Sequence, residues 1–384
     1  MILADSATSQ VITGAMVLTP QGWVDEAVRI DDGLITGIGS AGDLGQVHAE
    51  GLYLLPGIVD LHGDAFERAM APRPGVRMPL AMAMQENDAA ALAAGITTWF
   101  CSVTDSFEPG LRSRESLRSL LAWLEAGGRS HLGCDTRLHL RHEVCLVDGH
   151  DELVGWLRDG SVALLSWADH VPYEGDAVGR ERYLRSMIRR DNLSEAEADQ
   201  LITSAARLRR AGWSMVCELA EEAHLVDTPC ASHDDETPGE VARSLALGTT
   251  IAEFPQTVAA AQQARAGGAK VLMGSPNYVR GGSHLGSLSV AEALSTGVLD
   301  ALCSDYHYPS LWAAPFLLAD RGVMPLERAW DLVSANPAAL SGLGTMKGAI
   351  EPGFAADFLL VQPGPTPRLQ SVWVGGREVA RFGT

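Results

Sequence analysis

Eight times along this chain a short apolar run gives way to a stretch of helical character, and five of those runs end in side chains able to bind a metal. The runs 57–62, 97–103, 137–143, 162–170, 229–233, 249–254, 270–275 and 300–305 are expected as strands. Helices are expected over 83–94, 112–127, 150–158, 195–211, 214–224, 239–247, 257–267, 289–297 and 326–334, where the apolar period changes from that of a strand to that of a helix. Alternation of this length predicts an α/β fold, a (β/α)8 TIM-like barrel of the metal-dependent hydrolase type, with its chemistry on the C-terminal rim. A doubly wound sheet is the alternative, but no G-x-G-x-x-G opens a first helix.

A chain of 384 residues exceeds one barrel of about 250 residues, and both ends differ in character from the middle. Residues 10–54 alternate short β-rich pieces with turns, including Asp31-Asp32-Gly33 between Ala27-Val28-Arg29-Ile30 and Leu34-Ile35-Thr36-Gly37-Ile38, a hairpin signal. The segments 353–361 and 371–379 repeat that character. A small β-sandwich built from 1–55 plus 346–384, enclosing a catalytic barrel over 56–345, is therefore expected. Residues 171–228 are too long for a plain barrel connection, so an inserted helical hairpin near the site mouth is expected there. It would be a lid, a binding element or a structural excursion. Ser194-Glu195-Ala196-Glu197 has the form of an N-cap followed by an acidic first turn.

The net charge of −19 argues against nucleic acid or an anionic membrane as partner, since both need a positive surface field. It does not exclude a small anionic substrate, because arginines beside a metal can reverse the potential inside a cleft. The six cysteines show no C-x-x-C pair, which suits free buried thiols in a reducing compartment. With no basic n-region before the first apolar residues and no spanning run, a cytoplasmic protein is expected, with self-association left open.

Five strand ends carry the candidate chemistry. His62 and Asp64, at i and i+2, would share a face if the strand continues. Arg137, His139, Arg141 and Glu143 alternate with apolar residues, so in a barrel they would face inward, a metal-bridging carboxylate flanked by anion clamps. His170 and His233 each follow an apolar run. With Glu143 and the His62 pair they form a nitrogen and oxygen set suited to one or two divalent ions, zinc first, then manganese or iron. Asp305 closes the eighth run, either as the N-cap of the next helix or as a carboxylate that touches the metal and takes a proton from water. After the seventh run, Met273 to His284 reads as a polar loop in which Gly281 and Gly282 would offer an anion nest beside Arg280.

With these residues placed, the chain resembles the amidohydrolase superfamily and, more narrowly, the PhnM proteins of the bacterial carbon–phosphorus lyase pathway. The likeness runs from about residue 50 to the C-terminus. It rests on LLPGIVDLHGD (54–64), APRPGV (71–76), AAGITT (93–98), RLHLRHE (137–143), ADH (168–170), ASHDD (231–235), IAEFPQT (251–257), LMGSPNYVRGGSH (272–284), SDY (304–306) and NPA (336–338). The resemblance implies hydrolysis of a small-molecule triphosphate, α-D-ribose 1-methylphosphonate 5-triphosphate, to the 5-phosphate and pyrophosphate. It places His62, Asp64, Glu143, His170, His233 and Asp305 at metal-site positions, with Asp305 as catalytic base. Arg73, Arg137, Arg141, Asn277, Arg280, Gly281, Gly282, Ser283 and His284 fall in segments expected to face substrate. Two features depart from the superfamily pattern: Asp64 replaces the second histidine of His-x-His, and the two later histidines follow strands four and five rather than five and six. A deacetylase or deaminase on the same barrel, and a non-catalytic assembly subunit, are the competing readings.

Overall fold

The computed structural model describes residues 9–40, 45–283 and 286–383. Its centre is an eight-stranded parallel sheet in which each strand pairs with the next in sequence. The strands are β1 (Ile58–Gly63), β2 (Ile96–Asp105), β3 (Asp135–Glu143), β4 (Leu164–Ala168), β5 (Cys230–His233), β6 (Ile251–Glu253), β7 (Lys270–Gly274) and β8 (Ala301–Cys303). All eight expected strands are present. One apolar cluster takes Val59, Leu61, Phe100, Leu164, Ala231, Ile251, Leu272, Ala301 and Cys303 from seven of them, the layered filling of a packed barrel. A second, larger cluster lies between strands and helices, with Met84, Trp99, Leu121, Leu219 and Trp330 among its buried members.

The barrel closes where β1 meets β8, and a single buried carboxylate fastens the seam. Asp60 Oδ1 accepts the Ser304 N–H at 2.9 Å and the His62 N–H at 3.3 Å, while its Oδ2 accepts the Ser304 hydroxyl at 2.5 Å. Beyond it, the Asp305 N–H donates to the His62 carbonyl at 2.8 Å and the Asp64 N–H to the Asp305 carbonyl at 3.0 Å. Gly63 is required at this seam, since a Cβ there would overlap the Trp99 indole and the Asp60 carboxylate. The β1–β2 register shifts twice and β1 ends at Gly63, so Asp64 lies beyond the strand rather than continuing it.

Both termini build the β-sandwich. One sheet holds Leu34–Gly39, Ala27–Asp31, Gln10–Thr13 and Gly45–His48; the other joins Arg377–Arg381, Arg368–Val374 and Phe358–Gln362 to Tyr53–Pro56, Met16–Thr19 and Gly22–Val24. Val28, Ile30, Ile35, Leu54, Phe358 and Trp373 are packed in one cluster of their own. Asp32 and Gly33 both take positive φ, 50° and 78°, as a tight hairpin turn requires.

Two helical expectations change. The long interval holds helices Ala177–Asp191, Glu195–Ala206 and Arg209–Leu225. The last contributes Met215, Val216, Leu219 and Ala223 to the main cluster, so it is the barrel's own helix before β5. The first two share a separate small core of Met187, Ala198, Ile202 and Ala205, which narrows the inserted hairpin to about residues 177–206. Ser194 caps the second helix with a full capping box. The helix Tyr308–Asp320, absent from the sequence reading, contains Pro315; burial of Leu311, Ala314 and Leu318 offsets the interrupted hydrogen bonding.

Replacing Asp60 with Ala leaves two N–H groups and a hydroxyl at the seam without their acceptor, at roughly 1–3 kcal/mol per unsatisfied group. The urea midpoint should fall with the slope unchanged, and an unchanged midpoint would remove Asp60 from this role.

Candidate metal centre

Four imidazoles run from the barrel interior to its rim. His139, in the middle of β3, lies 5.2 Å between ring centroids from His62; His62 lies 5.4 Å from His233, and His233 5.4 Å from His170. Glu253, at the end of β6, reaches the inner pair, with Oε1 3.3 Å from His62 Nδ1 and Oε2 3.5 Å from His139 Nε2. At the outer pair, Asp234 Oδ2 is 3.1 Å from His233 Nδ1 and 3.6 Å from His170 Nε2, and Glu143 Oε2 is 3.0 Å from His170 Nδ1. Two groups with metal-ligand spacing result, His62–His139–Glu253 and His170–His233–Asp234.

Charge within this row is set by burial and by Arg141. Its guanidinium donates to His233 Nε2 at 3.0 Å and to Asp64 Oδ2 at 3.5 Å, with only 6% of the residue exposed. Burial first, and Arg141 next, hold His62 and His139 well below the usual imidazole range. Burial likewise takes His233 down to about 4, against the pull of Asp234. These three are neutral near pH 7, the form that ligates metals. At the rim the balance reverses: burial would lower His170, but hydrogen bonds to Asp234 and Glu143 hold it up at about 9. The two rim carboxylates thus demand a positive charge between them.

The donor set fits a divalent cation on a further observation. Glu253 Oε2 and Glu143 Oε1 are buried without a hydrogen-bond partner, and burial pushes the Glu253 carboxyl well above its ordinary range. Orphaned buried acceptors are costly, and a cation relieves both. Imidazole and carboxylate together suit zinc, manganese or iron.

Backbone strain gathers at the same strand ends. Of the non-glycine residues in the left-handed region, Asp234 (φ 61°), Phe254 (φ 51°) and Asp305 (φ 55°) directly follow β5, directly follow β6 and stand two residues past β8. Each such conformation costs on the order of 1–3 kcal/mol. At Phe254 it sets the ring edge-on to His62 (4.8 Å) and His233 (5.3 Å). Asp305 is pushed up to about 8, chiefly by burial and then by Asp64, against Arg141.

The expected residues divide by position. His62, Asp64, Arg141, His233, Asn277, Arg280, Ser283 and Asp305 line one cavity of about 190 Å³. Glu143 and His170 line a larger one of about 590 Å³, which also takes in Arg141 and His233. Arg137 and Arg73 line neither. Arg137 shares the inward face of β3 but sits near its start, paired with Asp135 at 3.0 Å, and Arg73 is exposed on the loop after the first short helix. The anion nest does not form as expected. A short helix, Ser275–Val279, follows β7, the Gly281 N–H donates to the Tyr278 carbonyl and the Gly282 N–H to that of Asn277. The Asn277 side chain is spent on Leu288 and Val290. His284 lies outside the described residues. His139 and Glu253 were not among the expected site residues, although Glu253 stands close to the end of its expected run, as the other candidates do.

Glu253→Gln tests the inner group. Metal-free variant should melt no lower than metal-free wild type, while the rise in Tm on adding zinc should shrink and bound metal per chain should fall. A full wild-type rise in Tm in the variant would exclude Glu253 as a ligand.

The family model described as "Amidohydrolase family" matches residues 53–379. A relative from Escherichia coli (strain K12), alpha-D-ribose 1-methylphosphonate 5-triphosphate diphosphatase, is 35% identical over 342 residues, covering 86% of this chain and 89% of that protein. Among solved structures, a D-hydantoinase from Bacillus sp. AR9 superposes with a TM-score of 0.66 at 16% identity, covering 97% of this chain and 95% of that one. A prolidase complexed with N-methylphosphonate-L-proline gives 0.65 at 17%, covering 98% and 100%. At such identity these two structures speak for the fold alone, while the family match and the 35% relative carry the assignment: the chain belongs to the amidohydrolase family and, within it, to the PhnM group.

Proposed function

We propose that this hydrolase cleaves α-D-ribose 1-methylphosphonate 5-triphosphate between the α and β phosphoryl groups, giving the 5-phosphate and pyrophosphate, in phosphonate breakdown. The observation that carries this reading is Arg141. A guanidinium in the middle of the histidine row, bordering both cavities, matches a phosphoryl group, whereas a neutral amide needs no such partner. The 35% identical diphosphatase supports the same substrate.

His62, His139 and Glu253, and at the rim His170, His233, Asp234 and Glu143, would hold one or two divalent ions. Such an ion supplies Lewis acidity and brings the pKa of water toward neutrality. Around it the chain's own groups divide the work. Arg141 draws the α-phosphoryl oxygens toward the histidine row and fixes the phosphorus for in-line attack. Asp305, across the small cavity, takes a proton from the attacking water as the new P–O bond forms. Burial and Asp64 raise its carboxyl to about 8, and the charge of a divalent ion beside it would favour the carboxylate that accepts this proton. The α–β bridging P–O bond breaks, and the charge of the departing pyrophosphate is met by Arg280 at the open side of that cavity.

Asp305→Asn should lower kcat by about 10²–10⁴-fold, the usual worth of a general base, with KM little changed; an unaltered kcat would remove it as the base. Turnover of ribose 1-methylphosphonate 5-triphosphate should release pyrophosphate. Orthophosphate in its place, or hydrolysis of acetamido sugars only, would overturn the proposed reaction.

A further inference from the structure

We propose that Arg182, on the inserted helix Ala177–Asp191, recognises the anionic phosphonate on the part of the substrate that stays behind when pyrophosphate leaves. This rests on the triphosphate reading above and assigns each end of that substrate to a cavity.

The two cavities adjoin through Arg141, His233, Asp234, Gln256 and Ser287, which line both. The smaller lies toward β7 and β8, with Arg280 and Ser283 in its wall. The larger, about three times the volume, lies under the inserted hairpin, with Tyr183, Arg182 and Arg190 of the helix Ala177–Asp191 in its wall. Cleavage at the α-phosphorus divides the substrate unequally, into a compact pyrophosphate and a bulkier sugar carrying a phosphate and a phosphonate. With the phosphorus fixed at Arg141, the sugar half matches the larger space. Trp213 and Tyr173 there offer aromatic surface, each already backed by a guanidinium, Arg243 and Arg209, and aromatic faces suit a sugar ring.

Most charges lining this cavity are committed. Arg190 and the Tyr183 hydroxyl are taken by Glu108, and Arg112 by Glu67 at 3.0 Å. Asp169 is held by Arg209 at 2.8 Å, Glu143 by His170 at 3.0 Å, and Asp176 caps its own helix. Arg182 differs, having neither ion pair nor hydrogen bond among the described residues. Its planar fork matches two phosphonate oxygens. Glu108 holds Arg190 and Tyr183 of the same helix against the barrel, which keeps Arg182 over the cavity.

The test compares metal-reconstituted wild type, Arg182→Ala, Arg182→Lys and, as a control, Arg185→Ala, whose side chain pairs with Glu181 on the same helix. Each is assayed on ribose 1-methylphosphonate 5-triphosphate and on ribose 5-triphosphate, which lacks the phosphonate. The preference in kcat/KM for the phosphonate substrate should fall on the order of tenfold or more in Arg182→Ala, the worth of one charge-assisted hydrogen bond. It should fall less in Arg182→Lys and hold in Arg185→Ala. A preference unchanged in Arg182→Ala, or lost equally in Arg185→Ala, overturns the assignment. Calorimetric binding of ribose 1-methylphosphonate 5-phosphate separates this from failure of the reaction itself. If wild type cleaves neither triphosphate, the reaction proposal falls; weaker binding by Arg182→Ala than by wild type still upholds the Arg182 site, and equal or no binding overturns it.

Discussion

Closure of β1 onto β8 is the constraint on which the rest depends. An open parallel sheet would leave the backbone of its two edge strands unpaired and would set His62 far from Asp305. Here the Asp60 carboxylate and the reciprocal bonds between Asp305, His62 and Asp64 join first strand to last. The backbone that seals the barrel is thus the backbone that carries the candidate base and two candidate ligands. Asp60 has its own carboxyl raised to about 6, chiefly by burial, so the seam is held at a desolvation cost.

From that seam the site follows as a problem of charge among closely packed groups. Three neutral imidazoles, a buried arginine and several carboxylates stand within a few ångströms of one another, most of them buried. In such surroundings the identity of one neighbour decides the state of the next. Burial, with Arg141 behind it, keeps the inner histidines unprotonated, while Asp234 and Glu143 keep His170 charged. A cation-binding site needs both conditions, donors free of protons and acceptors in excess, and they occur a few ångströms apart along one row.

Much of this was legible in the chain. Apolar runs ending in ionisable residues marked the strands and their polarity, because a parallel barrel buries its strands and opens only at their C-terminal ends. Height along the barrel axis was not legible. Arg137 and Arg141 lie on the same face of β3, yet one pairs near the strand's start and the other stands among the histidines. Alternation reports the face and leaves the level unspecified. Glu253 was passed over for a related reason: it lies one residue inside the expected run 249–254, and nothing in that run shows that its side chain reaches the level of the histidines. The expected glycine nest failed because the Gly281 and Gly282 N–H groups are used within their own turn, a choice among local partners that composition cannot reveal. Pro315 concealed a helix that tertiary burial sustains.

The left-handed backbone at Asp234, Phe254 and Asp305 bears on how this enzyme can be improved. Glycine would relax each of these positions, and a search for heat tolerance would tend to select it. At Phe254 the same substitution would strip away the ring that sets two imidazoles, and at Asp305 the carboxylate itself. On the mechanism proposed above, thermal hardening and catalytic competence are opposed at these three residues, and a more durable version of this protein is to be sought elsewhere in the chain.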